Sequence, residues 1–244
     1  MDLKDREIKD FDDFISRNQD VFFEKQSSDN KVSKQKLFTA INRLRENFIR
    51  LDMRYKNCKE LQDQFEMAEI GLKISVIIKD FPVDDFDLMN WQNKFVDSVE
   101  AFNQQIYSTI SVLILVLNYV GLCDKDHPIR SVNKFLDFVK NNIENCTKEV
   151  EVLKESINFR AKFVDHPQQQ TAYDWMTFSL YGKCCVVYFS HLKDGEIACT
   201  KKIRGEIRIP HECKDFCESP DEYRVKKALI DLSLKLLKHS LKIK

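Results

Sequence analysis

Apolar residues recur along most of this chain in steps of three and four between charged and amide residues, the spacing of helices with one buried face. The first run, Leu3–Glu24, sets Ile8, Phe11, Ile15 and Phe22 among acids and bases, and a polar link over Gln26–Lys31 comes after it. Ser33 is placed to cap a much longer helix. Its seam is Leu37, Ile41, Leu44, Phe48, Leu51, Tyr55 and Cys58, continuing less cleanly through Phe65 and Leu72 to Val76 before Phe81-Pro82. At 1.5 Å per residue that is a rod on the order of 65 Å, with Gly71 the expected place for a break. Asp84 and Asp87 suit the start of a third helix, because carboxylates are favoured at N-termini. Its stripe is Trp91, Phe95, Val99, Phe102, Ile106, Ile110, Leu113, Leu117 and Val120, and Gly121 is the expected C-terminal cap. The apolar collar Val112–Leu117 reaches nearly all round, so this helix should be the most enclosed. The fourth opens at Asp126-His127-Pro128 and runs through Val132, Leu136, Val139, Ile143, Cys146, Val150, Leu153 and Ile157. Arg160 and Val164 come next in that series, and Pro167 places the helix end near Asp165.

Past Pro167 the period changes from helical to alternating. Trp175, Thr177, Ser179 and Tyr181 alternate with Met176, Phe178 and Leu180, and Cys184–Phe189 is a β-branched and aromatic run. A turn with Asp194-Gly195 leads into Ile197–Ile203 and Glu206–Ile209, the pattern of a small antiparallel sheet of two to four strands. Ser219-Pro220-Asp221-Glu222 reads as a capping box with proline at the first helical position. It begins a last helix through Val225, Leu229, Leu232 and Leu236 with a basic end. The expected fold is therefore mainly α. Residues 1–170 form an antiparallel long-helix bundle, and residues 171–244 add a small C-terminal antiparallel β-sheet and a final helix packed on it.

Composition narrows this further. The 244 residues are 32% charged and 43% hydrophobic with five glycines, which suits a soluble, mostly helical protein and leaves no Gly-rich phosphate loop. Lys+Arg and Asp+Glu both number 39, so a large nucleic-acid-coating surface is not expected. From Thr200 onward twelve Lys/Arg face seven Asp/Glu, a modest basic tail. Met1–Asp5 has no apolar signal core, so the eight cysteines read as reduced cytoplasmic thiols. Ala101–Cys123 carries no charge, but its amides and serines and its short apolar centre mark a buried helix; no membrane partner is expected. His211, Glu212, Cys213 and Cys217, even with His191 or Cys199, match no paired zinc-ligand spacing, so no metal or other cofactor is expected.

The candidate chemistry sits at the end of the fourth run. Arg160 occupies a position where the repeat asks for an apolar residue, and His166 lies six residues later. A guanidinium on a buried seam needs an anion or a set of acceptors. Arg160…His166 late in a helical bundle resembles the motif of the HEPN superfamily. The resemblance covers about residues 1–170 and rests on this short motif and the architecture. Ala161 stands where most such members place Asn, Asp or His directly after the arginine. The resemblance implies a four- to five-helix bundle, a homodimer, and metal-independent endoribonuclease activity of a toxin or defence type, with RNA as substrate and an antitoxin as a further protein partner.

The residue types suit that reaction. An imidazole at His166 moves protons near neutral pH, and the planar fork of Arg160 can meet charge gathering on phosphorus oxygens. Six residues along one straight helix turn through roughly 240°. The pair converges only if His166 lies beyond the helix end or two chains share the site. Lys162 and Gln168 are auxiliary substrate contacts in this reading, and Trp175 a surface for stacking a base. The competing reading is structural. Arg160 then pairs with a bundle acid such as Glu66, Glu69 or Glu100, His166 terminates the helix, Trp175 fills the bundle–sheet junction, and the chain is a non-catalytic dimerisation or interaction module.

Overall fold

The computed structural model describes the backbone of residues 3–27, 34–77, 87–122, 128–161, 173–180, 183–191, 202–203, 207–208 and 213–243. Side chains are described over 7–24, 34–68, 89–122, 128–161 and 219–243 and at 70 and 87. Within these the helices are α1 (Leu3–Arg17), α2 (Gln19–Ser27), α3 (Lys34–Ile77), α4 (Leu88–Tyr119), α5 (Val132–Asn142), α6 (Thr147–Phe159) and α7 (Glu222–Leu241). The chain forms two compact units, Met1–Tyr55 with Asn103–Ile157 and Glu222–Lys244, and Lys56–Phe102 with Asn158–Asp221.

The first unit is a helical bundle whose interior is the set of expected seams. Leu37, Leu44, Phe48 and Leu51 of α3, Ile106, Ile110, Leu113 and Leu117 of α4, and Val225, Leu229, Leu232 and Leu236 of α7 are all 0–1% exposed. In α4 the buried positions Leu113, Ile114, Val116 and Leu117 cover more than one face, as the collar at 112–117 suggested. Phe11 of α1 packs on Phe48 with ring centroids 4.2 Å apart. Asp12 meets Arg45 three residues back along α3, so α1 and α3 run antiparallel. The expected single helix over Leu3–Glu24 is in fact two. Asn18 forms a turn between them, its side-chain amide donating to the Phe14 carbonyl at 2.8 Å. A short polar side chain that bonds its own backbone competes with the helix ladder at that point.

The fourth run also divides. Its apolar series holds, with Val132, Leu136, Val139, Cys146, Val150, Leu153 and Ile157 buried, but α5 ends at Asn142 and α6 starts at Thr147. Asn145 takes φ 61°, the left-handed conformation that asparagine tolerates better than most residues. Asn141, Asn142, Asn145 and Thr147 together are weak helix formers, so the chain turns there and α6 packs back on α5. The ties Lys140–Glu151 (3.1 Å) and Lys154–Asp137 (2.5 Å) establish that antiparallel hairpin.

Helix ends obey local chemistry. Asp87 accepts the Asn90 amide at 3.0 Å, capping α4 as its carboxylate predicted. Gly121, at φ +80°, closes α4 in a Schellman turn, with Leu122 N donating to Leu117 O at 3.0 Å and Gly121 N to Asn118 O at 3.3 Å. Lys242 makes the same turn after α7, at φ 56°. Contrary to the expected break, α3 runs uninterrupted through Gly71 to Ile77. A lone glycine costs a helix only about 1 kcal/mol relative to alanine.

In the second unit, Trp91 of α4 is the centre of an aromatic group. It stacks on Phe95 (5.2 Å, 10°), lies 4.6 Å from Phe65, and donates its indole N–H to the Leu61 carbonyl at 2.7 Å. The expected C-terminal sheet is corrected here. Among residues with described side chains 88% are helical and none lies in a strand, so the described core contains no sheet layer. Backbone alone is described at Tyr173–Leu180 and Lys183–His191, which run extended and antiparallel, with Cys213–Glu218 alongside. Alternation over seven or eight residues predicts extended backbone, but a layer also requires one face buried against a core. Every described core side chain is supplied by helices and their ends.

Candidate functional site

The α-helix carrying Arg160 ends before it. α6 stops at Phe159, and Arg160 and Ala161 continue as a π turn instead of an α-helix running toward Asp165. A π turn takes in an extra residue and rotates the positions beyond it. Phe159, 1% exposed, lies on the flank that also buries Val152 and Ser156, while Arg160 is half-buried and not sealed from solvent. The next position of the repeat after Ile157 is thus half-buried. Arg160 already takes part in an interaction. Lys162, His166 and Gln168 lie outside the described residues, and of Trp175 only the backbone is described. Of the acids weighed as its partner, Glu66 is exposed, Glu100 is half-buried, and Glu69 lies outside the described side chains.

The clearest functional surface lies on α3, and it comes from residues that the seam leaves over. At roughly 100° per residue, Leu37, Leu44, Phe48, Leu51 and Tyr55 centre about 100° to one side of Phe38. Ile49 and Met53 fall within roughly 60° of Phe38 on the other side. These three are exposed: Phe38 43%, Ile49 54% and Met53 60%. They form a second apolar strip, about 22 Å from Phe38 to Met53 along the axis. Roughly a further 100° round, Arg43, Arg50 and Arg54 make a parallel basic row, all exposed. Over 34–55 six Lys/Arg face two Asp/Glu.

Polar ties to three neighbours hold this helix in place and account for the charges that do not point outward. Arg45 forms a two-pronged pair with Asp12 of α1, at 2.5 and 2.9 Å, and hydrogen bonding to Asp12 raises its pKa further. Asn47 accepts from Gln105 of α4 at 2.7 Å. Asp52 accepts from Lys226 of α7 at 2.5 Å, and the same ammonium lies 4.5 Å above the Tyr55 ring. The Lys226 side chain is 0% exposed, so this pair is an internal one. A buried ammonium is tolerated only with such partners. At the Phe38 end the strip runs into a shallow groove. Ile15, Phe22 and Ile41 form its buried floor, and Gln19, Asn42 and Arg45 its walls.

A second polar line runs along α7. Tyr223 and Lys227 both reach Glu7 of α1, at 3.4 and 3.3 Å, and Lys235 reaches Glu149 at 2.9 Å and the Asn145 carbonyl at 2.8 Å. Burial raises the pKa of Asp231, which lies between the two lysines along α7. Burial likewise raises that of the Cys146 thiol. These groups tie α7 to the α5–α6 turn and to α1. Cys58 and Cys146 are free, buried thiols.

The α3 strip was not anticipated from the sequence. Its signal is a recurrence of apolar residues eleven and then four apart, off the main seam, beside arginines spaced seven and four. Among the described residues no group of three metal-ligating side chains is found, and no helix is long and apolar enough to cross a membrane. No family model matches the chain, no curated protein matches it, and no solved structure matches it.

Proposed function

We propose that this chain is a helical interaction module that engages another macromolecule through the outer face of α3. The observation carrying this reading is the strip Phe38, Ile49 and Met53, three large exposed apolar side chains in line on a helix whose main seam is already packed elsewhere. Single exposed apolar residues are ordinary on any surface, but an aligned set beside a charged row is the pattern of a docking face. A photo-crosslinking residue at Met53 should give discrete protein adducts in cells that the same residue at exposed Glu144 does not, and Ile49→Ser should remove them. Identical adduct patterns from both positions would defeat the reading.

A second reading keeps RNA as substrate. The π turn at Arg160 supports it, since such turns recur at functional sites and this one presents a half-buried guanidinium at a helix end. In that reading Arg160 and His166 act as the catalytic pair of a metal-independent endoribonuclease resembling the HEPN type, in a homodimer. Chelator-treated protein should then cut single-stranded RNA to cyclic-phosphate ends, and Arg160→Ala and His166→Ala should each abolish cutting without lowering Tm. Intact RNA with wild-type protein removes this reading and leaves the first untouched.

A further inference from the structure

We infer that the partner for the α3 face is an acidic amphipathic helix belonging to another protein; this rests on the interaction-module reading and specifies its ligand. Phe38, Ile49 and Met53 span about four turns of α3, a length matched by four turns of a docked helix. Beside Phe38 a shallow dip with buried Ile15, Phe22 and Ile41 beneath and Gln19, Asn42 and Arg45 around it continues this face.

The charges decide between a second copy and a different partner. In an antiparallel twofold contact, the basic flank of one α3 faces the same flank of the other, so Arg43, Arg50 and Arg54 would meet their own equivalents. In a parallel contact that flank would face Lys34 together with Arg45 and Asp52, which are already held by Asp12 and Lys226. The antiparallel arrangement places cations against cations, which is unfavourable at helix contacts, and the parallel one offers the basic row no acid that is not already paired. Glu46 is the one acid along the basic row, and it sits 3.9 Å from Arg50 on its own helix. A helix with apolar residues on one stripe and Asp or Glu on the adjoining flank satisfies both rows at once.

The test uses the full chain and a display library of 18-residue helical peptides with one fixed apolar stripe and flanks randomised among Glu, Lys, Gln and Ser. Selected binders should be enriched in Glu on one flank and should weaken roughly tenfold or more between low and high salt. Arg43→Glu/Arg50→Glu should weaken them by at least roughly thirtyfold, and exchanging the peptide's Glu for Lys should restore binding to that variant. Ile49→Ser/Met53→Ser should abolish binding of both peptide sets. All these positions are exposed, so each variant should melt within a few degrees of the parent. Binders that need Ile49 and Met53 but show no acidic bias, or ignore the charge reversal, overturn the acidic-helix inference and leave the interaction face standing. Binders indifferent to Ile49 and Met53, or an α3 face that instead binds phosphatidylserine vesicles with no peptide selected, overturn both.

Discussion

Two stretches of this chain carry nearly the same apolar repeat and fold differently. Residues 34–77 form one helix of 44 residues, whereas residues 132–159 form two helices joined at 143–146. Both keep their repeat buried in the first unit except at Ile143 in the turn, so the repeat reports which face is covered and is silent about continuity. Continuity depends on the residues between. In α3 the intervening positions are mainly Lys, Arg, Glu and Gln, all good helix formers, and Gly71 alone does not end it. At 141–147 three asparagines and a threonine fall together, and Lys235 of α7 takes up the Asn145 carbonyl that the turn releases.

The largest expected effects come from removing what both stretches share, a filled interior. Phe48→Ala in α3 should cost about 3–5 kcal/mol and Leu153→Ala in α6 about 2–5 kcal/mol, read by urea unfolding. A much smaller loss at Leu153 would mean that the seam is not equally packed across the turn. Lys226→Ala should cost about 3–5 kcal/mol, and Lys226→Met, which keeps the volume but likewise takes the ammonium from Asp52, should cost nearly as much. If methionine recovers most of the loss, side-chain packing and not the ion pair is what joins α3 to α7.

Next in size is the turn itself. Asn145→Val forces a β-branched residue into the left-handed region and should cost about 1–2 kcal/mol, while Asn145→Gly should be neutral or slightly stabilising. An unchanged melting temperature for the valine variant would place no conformational demand on the turn. Smaller again is the contribution of Asp231. Its pKa is raised in the fold by burial, so the folded chain holds the proton more readily than the unfolded one. That stability is fully present below the unfolded carboxyl pKa and is lost as pH rises through the folded pKa. Asp231→Asn should therefore raise Tm slightly at neutral pH and flatten the acid side of the stability profile. The smallest effect belongs to the exposed strip, where Ile49→Ser should shift stability by no more than about 0.5 kcal/mol.

Features that repeat or cap are legible in the sequence. The seams of α3, α4 and α7, the Asp87 cap and the Gly121 turn all come from spacing and from the chemistry of single residues. The end of α6 does not, because a π turn at Arg160 and Ala161 replaces the expected continuation of the helix. The expected C-terminal sheet rests on alternation, which describes how a strand exposes two faces and not what covers them. The strip on α3 escapes a reading of the repeat, because exposed Phe, Ile and Met draw attention only once their neighbours' burial is known. The proton-transfer half of the RNA reading rests on His166, which falls outside the described residues, so the π turn after α6 supplies the arginine alone.

Lys226 has one further effect on how the molecule is put together. Sliding α7 along α3 by a single turn would part its buried ammonium from Asp52. Leucines at 229, 232 and 236 could tolerate such a slip, since one greasy contact resembles the next. The charged pair could not, and so it fixes the alignment of two helices that their apolar surfaces alone would leave ambiguous.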